Sequence, residues 1–235
     1  MTDAKLTKQL EVLRRTMDTR ASADIIQLPL WPEPKRGTPN SFIRSALFAA
    51  IQGKDRTYLK EVTIASQEGI TVKFTGMQLN QDDLTVWETL VHLAKQHPLG
   101  NICSFTAHGI LSALELNKGG DEHKRLHSAV LRLMACAVEI KGLSRPYAGS
   151  LLEEALGDEN SPSYTVRLNR NLIKLFGETE WTAIDWQQRK LLRRKPLAQA
   201  LHAYYSSHKQ PFSVSLSLFP LRCRSFVESR FPSIP

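Results

Sequence analysis

The stretch from residue 105 to residue 168 constrains the fold most strongly, because two helical patterns are followed there by alternating ones. A short helical pattern begins after Thr106, a residue type suited to capping a helix N-terminus. A polar turn with two glycines follows at 117–120, and a longer amphipathic pattern runs from Asp121 to about Val138. A short helix, a glycine-containing turn and a longer helix predict a helix-turn-helix.

Alternating apolar and polar residues predict strands over 137–141 and 164–168, with Leu151 and Leu152 pairing between them and a turn-rich loop at 157–162. A β-hairpin directly after a helix-turn-helix is the plan of a winged helix. We therefore predict an α+β, mainly α, architecture. It contains a winged-helix domain, with its helix-turn-helix and β-hairpin wing.

The chain is predicted to have four parts. An N-terminal helix and a proline-rich linker occupy 1–38, and the first winged-helix domain occupies 39–184. A basic connector spans 185–195, and the fourth part spans 196–235, beginning with a helix at Pro196. The sequence has no apolar run long enough for a membrane helix and no secretion signal, which predicts a cytoplasmic protein without membrane contact.

The positive charge is concentrated near the C-terminus. The formal net charge is +8, and nearly all of it lies after residue 184. Such an excess favours a polyanionic partner, most often nucleic acid, and phosphate neutralisation would supply affinity without sequence specificity. A solvated linker or helix face is the alternative. The predicted phosphate-contacting cluster is Arg189, Lys190, Arg193, Arg194 and Lys195.

The second helix of a helix-turn-helix lies in the major groove of DNA, with its N-terminal part facing the base edges. The apolar positions of the 121–138 helix define its inward side, so the polar residues opposite are candidates for DNA contact. Arginine and lysine can read guanine, and serine can hold phosphate. An ordinary solvated helix face is the alternative here as well. The candidates are Lys118, Lys124, Arg125, Ser128 and Arg132.

The sequence favours a binding protein over an enzyme. It has no phosphate-binding ATPase loop, and His123 and His127 lack the intervening glutamate of a zinc protease site. No cofactor and no metal are therefore predicted. The pair Tyr204–Tyr205 allows a DNA-nicking enzyme as a third class of function, but the metal-binding His-apolar-His pair of such enzymes is missing. Packing of the two tyrosines against a core is the preferred interpretation.

Several separated motifs, in the right order over residues 25–220, resemble the TrfA-type plasmid replication initiators. The motifs begin at Pro39, Arg44, Phe74, Asp82 and Tyr204, and they read PNS, RSALF, FTGMQL, DDLTVW and YYSSH. The resemblance implies two winged-helix domains that bind directly repeated DNA sequences, called iterons, at a plasmid origin. It makes the first winged-helix domain of 39–184 complete and 196–235 the start of a second, incomplete winged-helix domain. It also implies help in opening an AT-rich segment, recruitment of the host replicative helicase and sliding clamp, and dimers that restrain replication.

A short segment resembles the peptide by which many bacterial proteins dock on the sliding clamp, and its candidate contacts are Gln27, Leu28, Leu30 and Trp31. The sequence departs from the family after 221–223, where other members continue through a second helix-turn-helix, and it reads there like a shortened or frameshifted end. The leading function is thus a plasmid replication initiator. The alternative is a winged-helix transcriptional repressor or a non-initiating, dimer-forming inhibitor.

Overall fold

The structure is a computed structural model of the 235-residue chain, and it describes residues 28–66, 69–96, 101–142, 146–158, 161–177 and 179–210. The N-terminal helix predicted within 1–38 and the last part of the predicted region 196–235 lie outside these residues. The helices are α1 (Asn40–Ile43), α2 (Gln81–Ala94), α3 (Ala107–Ala113), α4 (Gly120–Met134), α5 (Trp186–Leu191) and α6 (Pro196–Ser206).

Short 3-10 helices occupy Gly53–Asp55 and Arg170–Leu175. The strands are β1 (Lys35–Pro39), β2 (Phe48–Ala49), β3 (Tyr58–Ile64), β4 (Thr71–Met77), β5 (Leu79–Asn80), β6 (Ile102–Thr106), β7 (Ala137–Lys141), β8 (Tyr147–Gly149), β9 (Leu152–Asp158), β10 (Ser161–Leu168) and β11 (Trp181–Asp185).

Helix α2 forms the centre of the fold. Its N-terminus is a capping box, in which the Asn80 side chain accepts hydrogen bonds from the backbone of Asp82 and Asp83 and the Asp83 carboxylate accepts one from Asn80. One turn further on, Trp87 is fully buried, and its ring contacts Phe42 edge-on at 5.0 Å and Phe176 in a stacked arrangement at 6.3 Å. Helix α2 is therefore anchored at its start and surrounded by aromatic packing.

Two larger antiparallel sheets flank this helix. One has the strand order β6-β10-β9 and the other β3-β4-β7-β8. Strand β7 follows α4 directly, but it pairs with β4 and β8 instead of with β10. The hairpin after the helix-turn-helix is consequently β9–β10, in which Thr165 lies opposite Leu156. The expected pairing of β7 in the hairpin is wrong, because the Val138 and Ile140 side chains are buried in the sheet with β4.

A third antiparallel pair joins the two ends of the described chain. Strand β1 pairs with β11, so that Lys35 lies opposite Asp185 and Pro39 opposite Trp181. An ion pair of 2.9 Å between Lys35 and Asp185 closes one end of the pair. The predicted boundaries near 38 and 185 thus both fall at this paired sheet. The four-part division of the chain itself stays a prediction.

Helices and strands contribute comparable shares of the described residues, so the mixed class is right and the predicted emphasis on helix is not. The predicted elements are those with clear periodicity, and they form α3, α4, α6, β7 and β10. Strand β1 reads Lys-Arg-Gly-Thr-Pro and has no apolar alternation. It forms because β11 supplies its hydrogen-bond partners from far along the chain, a cause that local sequence does not reveal.

Candidate nucleic-acid interface

Helix α4 presents one apolar and one polar side. Leu126, Ala129, Val130 and Leu133 are buried, as the sequence pattern predicts. Lys124, Arg125 and Ser128 are exposed on the other side, and Lys118 is exposed in the turn before the helix. These four predicted residues therefore share one solvent-facing surface with the N-terminal half of α4. We call Lys118, Lys124, Arg125 and Ser128 the α4 polar surface.

Arg125 has a carboxylate beside it within the α4 polar surface. Its Nη1 lies 2.8 Å from the Glu122 Oε1 atom, one turn earlier on the same helix. The Arg125 side chain is 73% exposed, so the pair leaves most of the guanidinium accessible. An exposed pair of this kind contributes little to stability, and it limits the directions in which Arg125 points.

Arg132 does not belong to the accessible surface that the sequence predicts. Its Nη2 donates to Asp83 Oδ1 at 2.7 Å, and the Asp83 side chain is completely buried at the start of α2. Arg56 reaches the other Asp83 oxygen at 2.6 Å. The arginine therefore joins α4 to α2 and neutralises a buried carboxylate, which explains why it is held away from phosphate.

Arg189 corrects the prediction for the basic cluster more strongly. The residue is fully buried, and its Nε lies 2.8 Å from Glu88 Oε2 on α2. Its Nη2 donates to the Gln81 carbonyl at 3.0 Å and to Thr85 Oγ1 at 3.1 Å. Burial raises the pKa of Glu88, and the guanidinium of Arg189 opposes that rise. Arg189 is thus a packing residue of α5 and cannot reach DNA phosphate.

Lys190 and Arg193 lie at the end of α3, beside the turn that leads to α4. The Lys190 ammonium is 2.5 Å from Glu115 Oε1, and this hydrogen bond lowers the pKa of Glu115. Arg193 donates to the carbonyl of Leu114 and, at 3.0 Å, to the carbonyl of Glu115. We call the contacts of Lys190 and Arg193 with 114–115 the α3 clamp. Arg194 and Lys195 are exposed next to it.

The hairpin β9–β10 carries more acidic than basic groups along its described strands. Glu153 is exposed on β9, and Glu154 forms an ion pair of 3.0 Å with Arg167 on β10. Tyr164 on β10 stacks on Phe105 at 5.7 Å and faces His127 of α4 at 6.4 Å. The hairpin is therefore packed against α4 through aromatic rings near its turn, and its strands have little positive charge to attract phosphate.

The segment that resembles a clamp-binding peptide is part of the core. Leu28 and Trp31 are buried, Leu30 is exposed, and Gln27 lies outside the described residues. The Trp31 indole N–H donates to His92 Nδ1 at 3.0 Å, and the other ring nitrogen of His92 lies 2.8 Å from Glu33. Because its aromatic anchor is already packed and hydrogen-bonded, this segment is not available for docking in this structure.

The two tyrosines of α6 pack against other elements. Tyr204 is buried and lies 5.8 Å from the Tyr205 ring and 4.5 Å from the His208 ring. Nearby, Arg44 donates to Ser207 Oγ at 3.1 Å and to the Ser207 carbonyl. Two of the motifs that carry the family resemblance, 163 residues apart, thus meet at the end of α6.

Among the described residues, no group of three His, Cys, Asp or Glu side chains is placed to hold a metal ion. No helix in the same part of the chain is long and apolar enough to cross a membrane. Three carboxylates that form ion pairs with predicted DNA-contacting cations are not predicted from the sequence: Asp83, Glu88 and Glu115. The cap pattern at 80–83 marks Asp83 as a helix-start residue, but nothing in the sequence pairs it with Arg132.

Comparisons with known proteins extend along almost the whole chain. The model of the TrfA protein family matches residues 2–230. Over 231 residues the chain is 26% identical to the plasmid replication initiator protein TrfA of Escherichia coli, with 93% of this chain and 59% of that protein aligned. The chain therefore spans less than two thirds of the length of this relative.

A solved structure resembles the chain in fold at low sequence identity. A crystal structure of selenomethionine derivatives of domains 2 and 3 of RctB has a TM-score of 0.53 at 12% identity, and the match covers 74% of this chain and 71% of that one. A second structure of RctB domains 2 and 3 has a TM-score of 0.40 at 12% identity, over 55% and 57% of the two chains.

Proposed function

The chain belongs to the TrfA family, and on that premise we propose that it acts in plasmid replication initiation by binding double-stranded DNA at the origin. The action we propose is DNA binding in the bacterial cytoplasm without catalysis of a reaction. The 26% identity to a plasmid replication initiator supports the general function. How the chain holds DNA is inferred from the contacts and exposure of the described residues.

The proposed DNA-binding unit is a winged helix. Its support is the order of elements from α2 to β10: helix, strand, two helices separated by a turn, and a hairpin. The strand before α3 joins the hairpin in one sheet of order β6-β10-β9. Strands β7 and β8 are an insertion between α4 and the hairpin. In this arrangement α4 is the helix that enters the major groove.

The α4 polar surface is the observation that carries this proposal. Its cations are exposed at the N-terminal half of the helix, where a recognition helix meets the base edges. Lys124 and Arg125 have donors that suit guanine, and Ser128 suits a phosphate oxygen. Exposed Lys118, Arg194 and Lys195 extend the positive charge beside the turn. We expect these to contribute mainly affinity and salt dependence.

Binding can be tested with duplexes selected from a random pool by the full chain. Arg125→Ala is expected to lower the preference for the selected base at one position by about 5- to 150-fold, which corresponds to one good base contact. Lys60→Ala is a matched control, because Lys60 is an exposed cation on β3 in the other sheet. If selection enriches no sequence, or if both variants bind like the unmodified chain, α4 is not the reading element.

The finer parts of the proposal are binding to iterons, recruitment of the replicative helicase and dimer formation. They rest on family membership, and docking on the sliding clamp through residues 27–31 is not retained because Trp31 is buried. Footprinting on a plasmid origin, combined with permanganate probing of unpaired thymines, distinguishes an initiator from a repressor or an inhibitor. Repeated footprints with unpaired thymines indicate initiation, and repeated footprints without them indicate a repressor or an inhibitor.

A further inference from the structure

The turn between α3 and α4 contains an unusual backbone conformation. Glu115, the second residue after α3, has a φ of +53°, in the left-handed region that non-glycine residues seldom adopt. The sequence has glycines at 119 and 120, but none at this position. A left-handed residue just after a helix is common as a glycine, and here a side chain with a carboxylate occupies the position instead.

Both basic contacts of the α3 clamp converge on this residue and the one before it. Lys190 holds the Glu115 carboxylate, and Arg193 donates to the carbonyl oxygens of both 114 and 115. The Lys190 side chain is only 11% exposed, so its ammonium is committed to this contact. The last carbonyls of a helix lack internal partners and attract cations, so the clamp satisfies groups that α3 leaves open.

The clamp is itself fixed to the body of the protein. Lys190 follows Arg189, which is buried against Glu88 of α2. The start of α5 is capped by Asp185, whose carboxylate accepts a hydrogen bond from the Gln188 backbone at 3.0 Å. Arg194 has a left-handed φ of +63°, which turns the chain sharply after Arg193. Lys190 in the anchored helix α5 and Arg193 just after its end thus project toward one turn.

From these contacts we infer that Lys190 and Arg193 are positioning residues that fix the turn between α3 and α4 and thereby the orientation of α4 on DNA. This inference rests on the proposed function. It differs from the role that their charge suggests, in which both would bind phosphate. It also gives α5 a part in sequence recognition, although α5 lies about 70 residues after the turn.

The two roles leave different marks on DNA binding. A phosphate contact contributes about 0.9 to the slope of log K against log salt concentration and affects all sequences equally. A positioning residue leaves that slope unchanged and lowers the preference for the selected duplex over a scrambled one. We expect Arg193→Met to lower this preference by at least about fivefold, the value of one base contact.

The experiment uses the full chain, a fluorescent duplex that it selects from a random pool, and a scrambled duplex, at several salt concentrations. Arg194→Met is the matched comparison, since this neighbouring cation is exposed and makes no contact of the clamp. As a phosphate-contacting cation it should lower affinity and the salt slope and keep the preference for the selected duplex. Amide hydrogen exchange adds a second readout: 114–120 should exchange faster in Arg193→Met, while the amides of α2 keep their rate. Lys190→Met serves as the second variant if Arg193→Met does not fold.

An unchanged preference, or a salt slope reduced by about 0.9 with preference intact, overturns the inference and makes these residues neutral or phosphate-binding. That result is distinct from failure of the proposed function. In the latter case the pool yields no enriched duplex, and Arg125→Ala changes nothing. A loss of preference in Arg194→Met equal to that in Arg193→Met would also overturn the inference.

Discussion

Replacement of Arg189 by methionine is expected to lower the free energy of unfolding by about 3–5 kcal/mol at pH 7, the range found when one partner of a buried ion pair is removed. The side chains of Arg189 and Glu88 are 1% and 0% exposed, and their closest atoms are 2.8 Å apart. Methionine fills much of the volume but leaves the Glu88 carboxylate without its cation. Thr38 would still donate to the other carboxylate oxygen at 2.7 Å.

The unpaired Glu88 carboxylate can lose its charge by taking up a proton, and the cost of this protonation is an independent estimate of the loss in unfolding free energy. Holding a carboxyl group neutral at pH 7 costs about 1.4 kcal/mol for each pH unit above its ordinary pKa of about 4.3, or about 3.7 kcal/mol. At pH 5 the same cost is about 1 kcal/mol. The loss of stability in Arg189→Met should therefore shrink by more than half between pH 7 and pH 5.

Urea unfolding followed by tryptophan fluorescence at both pH values measures these quantities. Arg189→Met combined with Glu88→Gln is expected to recover most of the loss, because the amide is neutral and can still accept from Thr38. Arg194→Met is the control and should change stability by less than about 0.5 kcal/mol, as surface substitutions usually do. A loss below 1 kcal/mol at pH 7, or no recovery in the double variant, would refute the reasoning.

Three further outcomes are expected. Burial lowers the pKa of His92, so the unfolded chain takes up a proton before the folded chain does as the pH falls below about 6.5. The free energy of unfolding should therefore decrease between about pH 6.5 and the lowered pKa of the folded state and then level off. His92→Gln should remove this decrease from a profile of melting temperature against pH. Gly142 has a φ of +89° and an added Cβ would lie 1.7 Å from the Gly69 oxygen, so Gly142→Ala should cost at least about 1–3 kcal/mol in urea unfolding, whereas Gly120→Ala, which meets nothing within 4 Å, should not. In Gly37→Ala the Cβ would lie 2.5 Å from the Trp31 ring, and we expect a loss of about 1–3 kcal/mol with increased acrylamide quenching of tryptophan fluorescence.

Local sequence predicts the parts of this fold whose signals are local. Thr106 caps α3 as expected, with its side chain accepting from the Gly109 backbone at 2.9 Å, because capping depends on residues three positions apart. The inward side of α4 also follows from its own periodicity. The strands β1 and β11 could not be predicted in this way, since their pairing joins positions 150 residues apart.

In the candidate site, too, local sequence predicts some residues and long-range contacts determine the others. Exposure of Lys124 and Arg125 follows from their place on an amphipathic helix, so those two residues lie where the sequence puts them. The neighbouring cations 189, 190 and 193 look alike in sequence, but the first pairs with a buried carboxylate on α2 and the other two bind 114–115 at the end of α3. Because those partners lie on α2 and at the end of α3, far away in sequence, charge density alone cannot separate a buried arginine from one that reaches solvent.

The β1–β11 pair also has a consequence for synthesis of the protein. The first described strand cannot find its partner until residues 181–185 have left the ribosome, 150 positions later. At about 5–20 residues per second, that interval lasts roughly 8–30 s. Until then Trp31 lacks the Trp181 ring against which it packs at 5.7 Å. Strand β1 is therefore among the last parts of the described chain to reach its native place, and a nascent chain stopped before residue 181 would expose the apolar Trp31 ring to chaperones and proteases.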